Sequence, residues 1–462
     1  MNLTLIVIIV YLAVIFAVAW YFSRKESLGG YFLNNKKTSL WLLTLSNVAT
    51  VVGAGATVAV VAEVYDTGIS YGIILPVSFV IGMIVMGLIA KTIRKFGEEH
   101  ETYTIADFFH KRFGMKNKIL AEIIQVSLLV IWIGVQAIAI ASLASVLTGT
   151  DYKVALFLTA AITILYTSIG GLKIDIITDF IQFWIIIAVF AIMAFLAYNQ
   201  VGGVNSLLTR LPSGHLYIFN FGGVVWAIGA ILLSGFIYMG NASHWQRILS
   251  AKNKDIARKS FFLSIPFILV IALITLFLGL VSAISLPSID KNQAIFSLMV
   301  GILPAGLVGL GFAAILAVIM SSIDSLLVGG STIIYRALFR KHQFKHKKEI
   351  LYARLITALF GVSGFFLAFM VPNIITLSLV VSYLALIFAP PIFAGLYSKK
   401  ISSDATFYSI LIPTIALFSL YPILAANTFI VSTPLGIFIL LFYDKIFKKK
   451  DFTPLEMVGI EE

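Results

Sequence analysis

The chain has 462 residues, 60% of them hydrophobic and only 12% charged. Soluble domains are about 45–50% apolar and about 25% charged, so this composition excludes a soluble enzyme, a disordered chain and a nucleic-acid-binding domain and places the protein in a bilayer. The net charge of +12 belongs to membrane topology rather than to a nucleic-acid partner, and the absence of cysteine excludes disulfides and thiolate metal sites.

A membrane-crossing helix needs about 20 mostly apolar residues. Thirteen such runs follow in chain order: Leu3–Phe22, Leu40–Ala62, Tyr71–Ala90, Leu120–Leu147, Val154–Ile169, Ile174–Ala197, Gly222–Ser243, Phe261–Ile284, Leu303–Tyr335, Tyr352–Val371, Ile374–Leu396, Thr406–Leu424 and Thr428–Phe447. The first is read as a retained helix, because it lacks the basic start and small-residue cleavage site of a signal peptide. A long polar loop separates the third and fourth. With the N-terminus outside, every one of the 33 Lys and Arg residues except Lys153, Arg210 and Lys291 falls on the inner side. One span more or fewer would invert every later loop and destroy that split, which predicts thirteen spans, N-out and C-in. The expected divisions are a peripheral N-terminal helix over 1–25, five-helix sets over 38–197 and 222–397, two peripheral helices over 404–447 and a cytoplasmic tail over 448–462.

Backbone in lipid must be hydrogen-bonded internally, so irregular backbone at membrane depth marks a cavity. The second span carries Ser46-Asn47-Val48-Ala49-Thr50-Val51-Val52-Gly53-Ala54-Gly55-Ala56-Thr57, and the seventh carries Ser234-Gly235-Phe236-Ile237-Tyr238-Met239-Gly240-Asn241. Each run alone is equally consistent with close packing through small residues. Together they open two sets of five spans, and an odd number of spans inverts the second set. Interrupted helices at matching places in inverted halves point to a secondary transporter.

On the ninth span, Ser321, Asp324 and Ser325 lie at i, i+3 and i+4 and so share a face. Hydroxyls, a carboxylate and freed carbonyls are hard oxygen ligands suited to an alkali cation, and with no His or Cys beside them a transition metal is not expected. Asp179 lies within the sixth span and is read as a cation exit group, a second cation site or a lock between helices. Asp175 is read as a residue of the inner surface, and Glu63 and Asp66 as solvated at the outer end of the second span. Gln125 and Gln136, eleven residues apart, share a face of the fourth span; Gln136 is deep enough to bond a solute or a neighbouring helix. His342 and His346 stand in a strongly basic stretch that repels a metal. No phosphate loop and no catalytic constellation are found, so neither ATP coupling nor an enzyme is expected.

These residues also carry a resemblance. Tyr31-Phe32-Leu33-Asn34-Asn35-Lys36, the run from Ala49 to Thr57 with Tyr65-Asp66-Thr67-Gly68, Gly170-Gly171-Leu172 with Thr178-Asp179-Phe180-Ile181-Gln182, Trp245-Gln246-Arg247 with Ala251-Lys252-Asn253, and Ser321-Ser322 occur in order. In that order and spacing the chain resembles the sodium:solute symporters. The resemblance implies an all-α fold of two inverted five-helix repeats, LeuT-like, with peripheral helices, in a multi-pass protein of a cell membrane, a prokaryotic plasma membrane. It implies a sodium site of backbone carbonyls from Ala49, Val52 and Val318 with Ser321 and Ser322, and a second cation or proton site at Asp179, Asp324 and Ser325. A solute between the interrupted helices would meet Thr50, Gly53, Thr57, Gln136, Ser234, Tyr238 and Asn241. The Pro-His pair associated with the proline and monocarboxylate branches is missing at Ala242-Ser243-His244, and Gln246-Arg247 is closer to the sugar branch. The implied function is sodium-coupled symport of a small sugar, amino acid or carboxylate, with sodium as coupling ion, no other cofactor and no obligate protein partner. The alternatives are a proton-coupled carrier using Asp179 or Asp324 and a transporter-like sensor.

Overall fold

The structure is a computed structural model and describes residues 3–23, 27–339, 346–398 and 400–447. His342 and the tail over 448–462 lie outside the described residues.

Each of the thirteen apolar runs is a helix. The second run is a pair, Leu40–Val51 and Ala54–Thr67, bent by 67° at a short break, and the eleventh divides at Phe388 into Ile374–Ile387 and Ala389–Tyr397. The protein is thus an all-α multi-pass membrane protein. The third and fourth crossings run well beyond their apolar cores, as Ile69–Glu99 and Met115–Thr148. The long loop between them is itself partly helical, over Ile105–Phe113. Thr104 caps that helix by accepting from Asp107 N, and Phe108, Phe109 and Phe113 are buried. Its strong amphipathic pattern is hidden from an apolar-run search because its polar face is dense in charge.

The second span ends its inner half at Val52, passes through extended backbone at Gly53 and a tight turn at Ala54–Ala56, and resumes as Val58–Thr67. Gly53 is required by crowding: a Cβ there would lie 2.1 Å from Ser322 Oγ. The seventh span breaks similarly. Gly223–Leu233 gives way to a 3₁₀ stretch over Ser234–Gly240, and Ala242–Ser250 follows as a separate short helix. Asn241 starts that helix by accepting from Ser243 N.

Two facing amides satisfy the freed backbone. Gln136 Oε1 accepts from Ala54 N at 3.0 Å, and Gln125 Nε2 donates to Gly240 O at 2.8 Å. The shared face expected for these glutamines therefore serves one break each. On the inner side, Thr38 N donates to Ser250 O and Lys252 N to Thr38 O, which ties the entrance of the second span to the end of the seventh. On the outer side, the loop before the seventh span caps the junction at Gly68, where Ile69 N donates to His215 O at 2.8 Å. Glu63 is not solvated as expected. It is 3% exposed and lies 3.4 Å from Lys291 Nζ, which also pairs with Asp66 at 2.8 Å. The outer segment Lys291–Gln293 and the helix Ala294–Ile302 pack on this half of the second span, and Lys291 supplies the charge that a buried carboxylate needs.

Candidate functional site

The inner half of the second span packs against the ninth, Ala305–Leu338. Its last turn leaves carbonyls that the interrupted helix cannot use. Ser321 Oγ sits 3.0 Å from both Ala49 O and Val318 O, and Ser322 Oγ is 3.1 Å from Thr50 O. Ala49, Val318, Ser321 and Ser322 are buried, and Thr50 is half-buried. Val52 is buried at the turn where this helix ends. Neutral carbonyl and hydroxyl oxygens lie together here, a donor set that suits a hard monovalent cation at a broken helix.

About one turn further in lies a charge cluster that the sequence reading did not assemble. Arg247, on the short helix after the break in the seventh span, has no solvent exposure. Its terminal nitrogen pairs with Asp179 at 2.9 Å and Asp175 at 3.2 Å and donates to Ser325 Oγ at 2.7 Å, while Nε donates to Ser46 Oγ at 3.0 Å. Ser46 Oγ donates in turn to Asp179 at 2.6 Å. Asp175 is accordingly a buried residue and not one of the inner surface. The expected grouping of Asp179, Asp324 and Ser325 is divided: Asp179 and Ser325 meet through Arg247, whereas Asp324 accepts from Thr167 Oγ1 at 2.6 Å on the fifth span. Asp324 and Asp175 do line one small void of about 10 Å³.

Between the two broken helices lies a cavity of about 90 Å³. Six of the seven expected solute contacts line it: Thr50, Gly53, Gln136, Ser234, Tyr238 and Asn241. Thr57 is turned into the break instead, where its hydroxyl donates to Gly53 O at 2.9 Å. Ser234 is held by Ser78 and by Ala230 O. Tyr238 stands edge-on to Phe79 and tilted against His244. Thr50 and Ser322 belong both to this wall and to the oxygen cluster, so cavity and cation oxygens share an edge. Trp132, His244 and Ser378 also line the cavity and were not anticipated. Trp132 lies on the same fourth span as Gln136, one turn before it, and that spacing was the available signal.

A family model described as the sodium:solute symporter family matches residues 31–412. The chain is 26% identical over 400 residues to the sodium/pantothenate symporter of Haemophilus influenzae, covering 81% of each chain. It is 27% identical to the osmoregulated proline transporter of Bacillus subtilis, over 85% of this chain and 83% of that one. It is 25% identical to the sodium/glucose cotransporter of Vibrio parahaemolyticus, over 73% and 69%. Among solved structures, the substrate-bound, outward-open state of a Na+-coupled sialic acid symporter superposes with a TM-score of 0.84 at 16% identity, covering 99% of both chains. Mhp1, a nucleobase-cation-symport-1 family transporter, superposes at 0.56 over 89% of this chain and 94% of its own.

Proposed function

The chain belongs to the sodium:solute symporter family, and from that premise we propose that it couples the inward movement of one sodium ion to that of a small organic solute by alternating access. The observation that carries this is the contact of Ser321 Oγ with Ala49 O and Val318 O beside the cavity. In this reading Ala49, Val52, Val318, Ser321 and Ser322 hold sodium, and residues 38–197 and 222–397 are the inverted repeats. The helices over 1–25 and 404–447 are peripheral to them.

Sodium bridges the second and ninth spans and fixes the shared edge formed by Thr50 and Ser322. The solute then meets a wall already set in place, and closing over it restrains the ion in return. Each ligand must raise the other's affinity by the same factor. Arg247 is the resident cation of the inner cluster, in place of a second sodium. Two carboxylates share the one guanidinium of that cluster. A sodium ion leaving the neutral oxygens above it is drawn inward, along Ser325 and Asp179.

The test is thermal stability of the purified protein in sodium, potassium and choline salts. A ligand that binds only the folded state stabilises it by mass action. Sodium is expected to stabilise the unmodified protein, and Ser321→Ala to need about tenfold or more sodium for the same effect. Equal behaviour in sodium and choline at every pH, with a solute effect that follows pH, would replace sodium by a proton on Asp179 or Asp324.

A further inference from the structure

The outer loop between the sixth and seventh spans has two unlike sides. One side is fastened to the junction of the second and third spans. His215 O accepts from Ile69 N at 2.8 Å, and His215 Nε2 lies 3.1 Å from Tyr65 O. Asn220 Nδ2 donates to Thr67 O at 2.9 Å, and Phe221 N donates to Ser70 Oγ at 3.1 Å. The approach is close enough to require glycine: a Cβ on Gly68 would lie 2.1 Å from His215 O. The other side of the loop points away from the protein and is apolar. Leu216, Tyr217 and Ile218 are 52%, 56% and 37% exposed, and the Phe219 ring stands edge-on to Tyr217 at 5.7 Å. No Asp, Glu, Lys or Arg occurs between Arg210 and Arg247, so the loop lacks the charges that keep a loop in water.

We infer that residues 216–219 lie in the headgroup zone of the outer leaflet, and that this anchorage holds the loop on the junction of the second and third spans. A run of apolar residues left exposed marks a contact surface, and aromatic residues at span ends collect at the membrane–water interface. The neighbouring chain shows which surface it is. Phe195 and Tyr198 are exposed at the outer end of the sixth span, and Val224, Val225 and Ile228 are exposed at the start of the seventh. Those side chains lie on crossing helices and so face lipid. The loop continues that lipid-facing surface from one helix end to the other. The short helix Gly203–Arg210 continues it too, with Val204 and Leu208 exposed at i and i+4 while Leu207 is buried. The anchoring run sits directly between His215 and Asn220, two of the residues that fasten the loop. The loop therefore cannot leave the junction without drawing 216–219 out of the interface, and the leaflet adds its apolar contact to the hydrogen bonds that keep the junction covered.

The chain has no cysteine, so one introduced cysteine carries one label. Tyr217→Cys, labelled with a polarity-sensitive fluorophore in nanodiscs of phosphatidylcholine and phosphatidylglycerol, is compared with two references. Lys153→Cys is the water-facing one and Val225→Cys the lipid-facing one, both at exposed positions. The label at 217 is expected to be quenched by brominated lipid and shielded from iodide, as at 225. The second measurement is hydrogen exchange of the Ile69 amide in the same nanodiscs. Replacing Leu216, Tyr217 and Ile218 together by serine should speed that exchange about tenfold, the value of roughly one apolar side chain withdrawn from water. The Ala54 amide, held by Gln136, should exchange as before, which separates local opening from a loss of the whole fold. A label at 217 as open to iodide as the one at 153 would overturn the inference. Shielding from both quenchers would also overturn it and would place a protein surface there. An Ile69 amide whose exchange ignores the serine substitutions would overturn the hold on the junction.

Discussion

Replacing Arg247 by Met tests the inner cluster most directly. The guanidinium is wholly buried and lies 2.9 Å from Asp179 and 3.2 Å from Asp175. Methionine fills part of the volume and removes the charge. Two unit charges about 4 Å apart interact by about 4 kcal/mol at an effective dielectric of about 20. Breaking a buried pair from one side costs about 3–5 kcal/mol, because the remaining charge stays behind uncompensated. In choline at neutral pH, Arg247→Met should therefore be less stable by about 3–5 kcal/mol, read as a fall in the thermal unfolding midpoint. The two carboxylates must then be discharged by something else. Sodium is the available cation, so the variant should recover stability in sodium along a steeper, two-ion titration than the unmodified protein shows. Adding Asp175→Asn and Asp179→Asn removes the charges and should restore stability in choline. Unchanged stability in choline, with the same one-ion sodium titration, would refute Arg247 as the counter-ion of these carboxylates.

Ser321→Ala removes one of the sodium oxygens, and the sodium concentration giving half-maximal stabilisation should rise about tenfold or more, by the value of one hydrogen-bond-strength contact to a charge. Gly53→Ala places a Cβ 2.1 Å from Ser322 Oγ and 2.8 Å from its Cβ; it should abolish sodium and solute responses together, measured in the same thermal shift. Asp107 gives a pH signature on the inner face. Burial pushes its carboxyl up, but Arg336 at 3.0 Å, Lys118 at 3.1 Å and the Tyr103 N–H outweigh burial and hold it below the usual range. A lowered folded value means that its stabilisation is complete above the unfolded carboxylate range near pH ~4 and is lost as pH falls through the lower folded value. Asp107→Asn should thus cost about 1–3 kcal/mol at pH 7, with the two unfolding curves converging only in acid.

The spans were legible because the bilayer imposes one length and one charge rule on every crossing. The breaks were legible because glycine and hydroxyl residues at mid-depth have few other uses there. Contacts between spans were legible only in half. Gln125 and Gln136 could be placed on one face of the fourth span, but not on the breaks they satisfy, since periodicity within a helix says nothing of its neighbours. Ser321, Asp324 and Ser325 show the limit of a shared face. At about 100° per residue, Asp324 and Ser325 fall on opposite sides of Ser321, about 100° apart. One meets Thr167 on the fifth span and the other meets Arg247.

Arg247 itself was hidden by the rule that made the topology firm. Counting basic residues toward the inner side gains from every Lys and Arg near a span end, and it cannot tell a solvated cation from one that has turned inward. A different argument was available. Asp175 and Asp179 are one turn apart on the same helix, and two carboxylates that close cannot both stay ionised in a dry interior without a partner. The partner must reach them from another helix, must be long and permanently charged, and must come from a segment without its own acidic neighbours. Arg247 stands beside Trp245 and Gln246 on a helix of nine residues, Ala242–Ser250, with no acid in it. Charge balance within the membrane, applied before the loop count, would have taken Arg247 out of the loop and put it against the sixth span.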